Sequence, residues 1–269
     1  MKTLILSPRY TPDSISLRSA ALEAGWAVER LVSWRPPQEL RERQGVEPVP
    51  YGEPLFAAVI ADTFGLALIE PTFSWLAGLP VEFLKRKVEF TNLAKARKQS
   101  GKAFMKPADD KCFPADVYES GAELPAEGVL EPSVPVLISE PVSWEVEFRC
   151  FAFEKKVATC AVYSRQGKTA QANDGSWPVS EAEMSAALEF GGKLLADPGV
   201  EFPPAAVVDI GIIAGRGWAV VEANACWGAG IYGCDPFRVL DTLSRACRRR
   251  SEIAQADAAW VVNREGLNS

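Results

Sequence analysis

Residues 207–230, VVDIGIIAGRGWAVVEANACWGAG, decide the reading of this chain. An apolar run carries Asp209, a Gly-Arg-Gly turn follows, and a second apolar run closes on Glu222-Ala223-Asn224. Two short apolar runs around a Gly-rich turn predict a hairpin. Side chains alternate along a strand, so Glu222 and Asn224 share a face. Asp209 on the partner strand then completes a set of two carboxylates and one amide oxygen. All-oxygen donors suit a hard cation, Mg2+ or Mn2+, bridging to the phosphates of a nucleotide.

The 269 residues allow a sizeable core in one large or two modest domains. Hydrophobic residues make up 48% and charged residues 24%, the balance of an ordinary globular protein. No apolar run is long enough to cross a bilayer. The opening MKTLILSPRYTP reads as a first strand and not as a signal peptide. A net charge of -6 argues against a nucleic-acid surface, and Arg248-Arg249-Arg250 reads as a solvated helix end. The expected partners are therefore small molecules or peptides, with no nucleic acid and no membrane. Six cysteines without a C-x-x-C pair suggest reduced thiols in a cytoplasmic protein. There is no histidine, which excludes Ser-His-Asp and Cys-His catalysis and His-ligated zinc. Catalysis must then rest on carboxylates, Lys, Arg, Tyr, backbone N–H groups and a metal.

Along the chain, KTLILS and WAVERLV read as strands and SISLRSAALEAG as a helix between them. The first third alternates strand and helix as a small α/β domain would, assigned to residues 1–84. VEFLKRKVEFTNLAKARKQSG has helical spacing and predicts one helix ended by Gly101. EVEFRCFAFEKKVATCAVYS predicts a hairpin turning at Glu154-Lys155-Lys156. A helix begins near Ser180, and PFRVLDTLSRACRRR predicts a last one, followed by a strand at AAWVV. Residues 85–269 thus read as α+β, with antiparallel sheet and helices on one face.

Upstream of the hairpin lie further charged positions in a fixed order. Lys106 ends an apolar run before Pro107, where a fixed ammonium can neutralise phosphate. Ile138-Ser139-Glu140-Pro141-Val142 is an extended apolar segment carrying one acid, and Glu147 follows seven residues on. Such a segment can meet a purine edge with its backbone, and its acids can accept from an amine or ribose hydroxyls. These residues resemble the ATP-grasp superfamily of carboxylate-amine ligases. KPADDKCF and VEFRCFAF resemble the branch of that superfamily named for one arginine and two lysines.

The resemblance covers roughly residues 85–250 and implies two α+β lobes gripping a nucleotide, about 85–138 and 139–269, after the N-terminal α/β domain. It implies ATP and Mg2+ as cofactors and an acyl-phosphate route to an amide or peptide bond. By the same resemblance Lys106, with Lys87 or Lys111, binds phosphates, Glu140 with Val142 binds adenine, Glu147 binds ribose, and Asp209, Glu222 and Asn224 hold the metal. Lys106 and Arg149 stabilise the transferring phosphoryl group. An Arg that relatives carry two residues before the metal Asp is absent, Val207 standing there, and Arg149, Arg165 or Lys168 would take its role. The loop after Lys106 lacks the usual Gly/Ser-rich lid, which keeps open a non-catalytic nucleotide-binding protein. Gly228-Ala229-Gly230-Ile231-Tyr232-Gly233 fits G-x-G-x-x-G, so a dinucleotide-dependent oxidoreductase is a third reading. Acids just before that turn favour it as the wall facing substrate.

Overall fold

The computed structural model describes residues 1–109 and 111–261. The chain opens with β1 (Lys2–Leu6), α1 (Pro12–Glu23), β2 (Ala27–Arg30), α2 (Gln38–Glu42), β3 (Glu47–Tyr51), α3 (Pro54–Phe64) and β4 (Leu66–Leu68). β1, β2 and β3 form a parallel sheet in the order β2-β1-β3. Leu4, Ile5 and Leu6 are fully buried, as expected of a central strand covered on both faces. Thr11 caps α1 with a reciprocal Ser14 bond, and Pro12 occupies the first turn where no N–H is needed.

Next come α4 (Val81–Leu84), β5 (Val88–Asn92), α5 (Leu93–Ala96), β6 (Ala103–Pro107), β7 (Asp116–Tyr118) and β8 (Pro135–Ser139). They build a four-stranded antiparallel sheet in the order β5-β8-β6-β7. The single helix expected over 81–101 is not formed. Lys85 adopts the left-handed conformation (φ 50) and stops α4 after one turn. Val88–Asn92 then pairs with β8, and the Asn92 side chain caps the short α5. Helical spacing in the sequence lost to a sheet partner some 50 residues away, which local pattern does not register.

The rest comprises β9 (Trp144–Phe153), β10 (Lys156–Arg165), β11 (Lys168–Thr169), α6 (Glu181–Ala196), β12 (Ala205–Ile213), β13 (Gly217–Asn224), α7 (Pro236–Ala246) and β14 (Cys247–Arg249). A five-stranded antiparallel sheet runs β11-β10-β9-β12-β13. The expected β9–β10 hairpin turns through Glu154 (φ 46) and Lys155 (φ 59), a two-residue loop with both residues at positive φ. Ser180 and Glu183 close a capping box at the start of α6.

Helices cover both faces of this sheet, not one. Phe148, Cys150, Val208 and Ile210 pack toward Leu194 and Leu195 of α6. Phe151, Ala161 and Val207 face the other way, joining Leu240 and Leu243 of α7 and Leu4 and Leu6 of β1 in one core. The last helix stops at Ala246, because Cys247–Arg249 pairs with β4. The basic run is therefore no solvated helix end: Arg249 donates to the Val46 carbonyl at 3.0 Å and Arg250 to the Leu66 carbonyl at 3.0 Å. Residues expected as a strand at AAWVV instead form a 3-10 turn over Gln255–Trp260, with Val261 bridging Ile69; Val262 lies outside the described residues.

Candidate nucleotide and metal site

The four-stranded and five-stranded sheets face each other across a cleft of about 1460 Å3. β6 buries Ala103, Met105 and Pro107 and turns Phe104 and Lys106 to the cleft, as strand alternation requires. In the opposite sheet Arg149, Asp209 and Glu222 lie directly across from one another on β9, β12 and β13. The hairpin read from the sequence therefore exists, with Asp209 paired to Glu222 and Val207 to Asn224.

These groups are already bonded to one another. Arg149 donates through Nε and Nη2 to both oxygens of Asp209, at 2.9 and 2.6 Å. Asp209 is fully buried behind it and does not line the cleft. Burial works against the Arg149 charge, but Asp209 outweighs it and keeps the guanidinium protonated beyond its ordinary range. Lys106 crosses the cleft to Glu222 Oε2, and Asn224 Nδ2 donates to Glu222 Oε1 at 2.9 Å. Among the described residues no group of three or more Cys, Asp or Glu is placed to hold a metal ion. Of the three expected donors, Asp209 is engaged by Arg149. Glu222 and the Asn224 amide oxygen remain on the cleft wall, a two-oxygen set that fits Mg2+, which keeps several waters and shares phosphate oxygens.

Burial pushes the Glu222 carboxyl up, yet the Lys106 charge and hydrogen bond, then Asn224 and Arg149, hold it down at about 2. The group is depressed below its unfolded value of about 4.3, so its stabilisation is complete above that value and lost as pH falls through about 2. Urea midpoints measured from pH 6 downward should fall more steeply for the native chain than for Glu222→Gln. Parallel curves would show that the pair adds no pH-dependent stability.

The other expected positions divide in two. Lys111, Glu140, Val142 and Glu147 line the cleft. Glu140 is held by both Nη atoms of Arg216 at 2.9 and 2.5 Å, which keeps its carboxyl below the usual range. Glu147 accepts from Tyr163 at 2.8 Å and Ser164 at 2.7 Å. Arg165 and Lys168 do not line the cleft. They are opposed on β10 and β11, one position out of phase with Ser164, so alternation turns them away, and Arg165 pairs with Glu183 at 2.8 Å. Lys87 is exposed and also outside the cleft.

Its neighbour Arg86 takes the interior place. Arg86 is buried, donates to the Val220 and Val221 carbonyls at 2.6 and 3.0 Å, and lies 5.0 Å over the Trp144 ring. Burial lowers its pKa to about 10 against the raising influence of Glu222 and Glu140. Nothing in Lys85-Arg86-Lys87 marks the middle residue, since its placement follows from the left-handed turn at Lys85. Tyr163 and Tyr232 were also unforeseen. Their rings stack at 5.1 Å, and the Arg149 guanidinium sits over Tyr232 at 4.9 Å and Tyr163 at 5.4 Å.

A family model described as ATP-grasp domain, R2K clade family 2, matches residues 83–242. The chain belongs to that ATP-grasp family. Solved structures agree on the fold. An ATP-grasp RimK domain protein from Sphaerobacter thermophilus superposes with a TM-score of 0.51 at 13% identity, covering 90% of this chain and 99% of that one. The D-cycloserine synthetase DcsG superposes with a TM-score of 0.51 at 16% identity, covering 91% and 99%. No curated protein matches the sequence. In this ATP-grasp chain the G-x-G-x-x-G run follows β13, an antiparallel edge strand, so it lacks the parallel β-α-β setting of a dinucleotide fingerprint. Gly230 instead presents its carbonyl to Arg149 Nη1 at 3.1 Å. Among the described residues no helix is long and apolar enough to cross a membrane.

Proposed function

We propose that this chain is an ATP- and Mg2+-dependent ligase that joins a carboxylate to an amine through an acyl phosphate. The observation that carries the reading is the meeting of Lys106 with Glu222 and Asn224 across the cleft, from two different sheets. A cation from one lobe facing oxygen donors from the other suits a polyphosphate lying between them. Mg2+ would be held by Glu222 and the Asn224 amide oxygen, and it would supply charge neutralisation at the phosphates.

The chain's own groups cover the remaining needs. Lys106, now paired with Glu222, would turn to phosphate oxygens when a nucleotide occupies the cleft. Val142 and Glu140 lie on the linker between the sheets and line the cleft together with Trp144, where an adenine would rest. A substrate carboxylate oxygen attacks the γ-phosphorus and the bond to ADP breaks. The amine then attacks the acyl carbon, phosphate leaves, and the nitrogen loses a proton. Such transfer depends on positioning and charge stabilisation, which suits a site without histidine. Lys111, exposed at the cleft mouth, is the second phosphate lysine in this reading, and Lys87 is not.

An ADP-release screen with ATP, Mg2+ and pooled amino acids and short peptides tests the proposal. The expected result is release that requires both a carboxylate and an amine partner. Stabilisation by ATP and Mg2+ with no release from any pair would instead identify a nucleotide-binding protein without ligase activity.

A further inference from the structure

On one face β9 and β10 carry Glu147, Arg149 and Tyr163 to the cleft. On the other face the same two strands bring a pair of cysteines together. Cys150 and Cys160 are direct partners in the antiparallel register. Cα atoms so opposed lie about 4.5–5.5 Å apart, within the roughly 4.4–6.8 Å that a disulfide spans. Their Sγ atoms are 2.9 Å apart, inside the contact distance of two unbonded sulfurs, and both are free thiols. Neither lines the cleft. They sit in the core under α6, Cys150 fully buried and Cys160 half-buried.

The position of the pair along the strands gives it a use. The β9–β10 register shifts between Val157 and Thr159 and again between Val162 and Ser164, so the cysteines stand in the regular stretch between two bulges. A slip of one residue there would turn Arg149 from the cleft to the α6 face. The other thiols are placed differently. Cys112 is exposed on a loop, and Cys226 and Cys247 are buried in the core around α7. Cys234 belongs to that α7 core as well and donates its thiol to the Arg149 carbonyl at 3.5 Å. The hydrogen bond with Cys160, and then burial, push the Cys150 thiol well above its ordinary range. Cys160 is therefore the thiol that meets an oxidant first, and Cys150 the one that answers it.

We infer that Cys150 and Cys160 form a reversible oxidation site, a cross-strand disulfide made by hydrogen peroxide and undone by thiols, which staples β9 to β10 behind the cleft. The Cys160 thiolate attacks one peroxide oxygen and the O–O bond breaks. Hydroxide leaves, takes up the thiol's proton as water, and a sulfenic acid remains on Cys160. The Cys150 thiol attacks that sulfur, the S–O bond breaks, a second water leaves and the S–S bond forms. The two thiols lose two electrons and two protons, and peroxide is reduced to two waters.

The reduced chain is treated with a modest excess of hydrogen peroxide, and the remaining thiols are blocked before tryptic digestion. Cleavage after Arg149, Lys155, Lys156 and Arg165 leaves Cys150–Lys155 and Val157–Arg165 as separate peptides. They should appear as one disulfide-linked mass before reduction and as two peptides after it. The thermal midpoint should rise by about 5 °C on oxidation and fall back with dithiothreitol. Cys160→Ser should show neither change, and Cys234→Ser should show both. The peptide map and midpoint of the native chain decide the inference without either variant. It is overturned if the two peptides stay unlinked while Cys112 is oxidised, if Cys160 is joined to Cys234 instead, or if the linked chain unfolds no higher than the reduced one.

Discussion

Arg149→Met should lower the stability of the fold by about 3–5 kcal/mol, the cost of stranding one member of a buried ion pair. Arg149 and Asp209 share two hydrogen bonds at 2.9 and 2.6 Å, and Asp209 has no exposed surface. The Met side chain offers the carboxylate no donor in place of the guanidinium. The variant's Asp209 would hold a proton to a higher pH than the unfolded chain's does. A raised carboxyl favours the folded state at low pH, so the deficit should shrink as pH falls toward the ordinary Asp range and be full at pH 7. Combining Arg149→Met with Asp209→Leu removes both charges and should recover most of the loss. Urea unfolding at pH 7 and pH 4.5 reads all three expectations. A deficit under about 1 kcal/mol at both pH values, the size of an exposed pair, would mean that Asp209 has solvent or another donor. It would then be open to a metal after all.

That pair also shows where sequence reading stops. Asp209, Glu222 and Asn224 were placed on one hairpin from local alternation alone, and β12 and β13 carry them as expected. The partner of Asp209 was not legible, because it depends on the register between β9 and β12, sixty residues apart. The β9–β10 hairpin and α6 announce themselves through alternation and a capping box, both local signals. Residues 81–101 carry helical spacing but form β5, because β8 offers a ladder that the isolated segment does not foresee. The same spacing predicts a helix through Lys87 and does not single out Arg86, which the turn at Lys85 carries inward. Arg165 is an alternative to Arg149 by resemblance, and strand phase separates the two: Ser164 faces Glu147, so its neighbour Arg165 faces α6. Residue type finds candidates for charge chemistry, whereas the face and register of each strand select among them.

Glu222→Gln should lower ATP-dependent turnover by about 10²–10³-fold, the loss typical of removing one preorganised charge-stabilising group. The reason separates this variant from simple damage to the cleft. Glu222 neutralises Lys106 in the free chain and is the stronger of the two oxygen donors facing the cleft. The amide removes the counter-charge of Lys106, so ATP without metal should bind at least as tightly as to the native chain. Mg2+ should tighten ATP binding in the native chain and do so far less in the variant, since the amide is a weaker ligand for a hard cation. Lys106→Met should behave in the opposite sense. It loses a phosphate cation, so ATP binding weakens with and without metal, while Glu222 and Asn224 still respond to Mg2+. Calorimetric titration of ATP over a series of Mg2+ concentrations distinguishes the two patterns. If both variants lose ATP affinity alike and keep the same Mg2+ response, the carboxylate is a structural partner of Lys106 and the metal lies elsewhere. If only Glu222→Gln flattens the Mg2+ response, the ion pair across the cleft is the free-state form of a site that the metal and the phosphates divide between them.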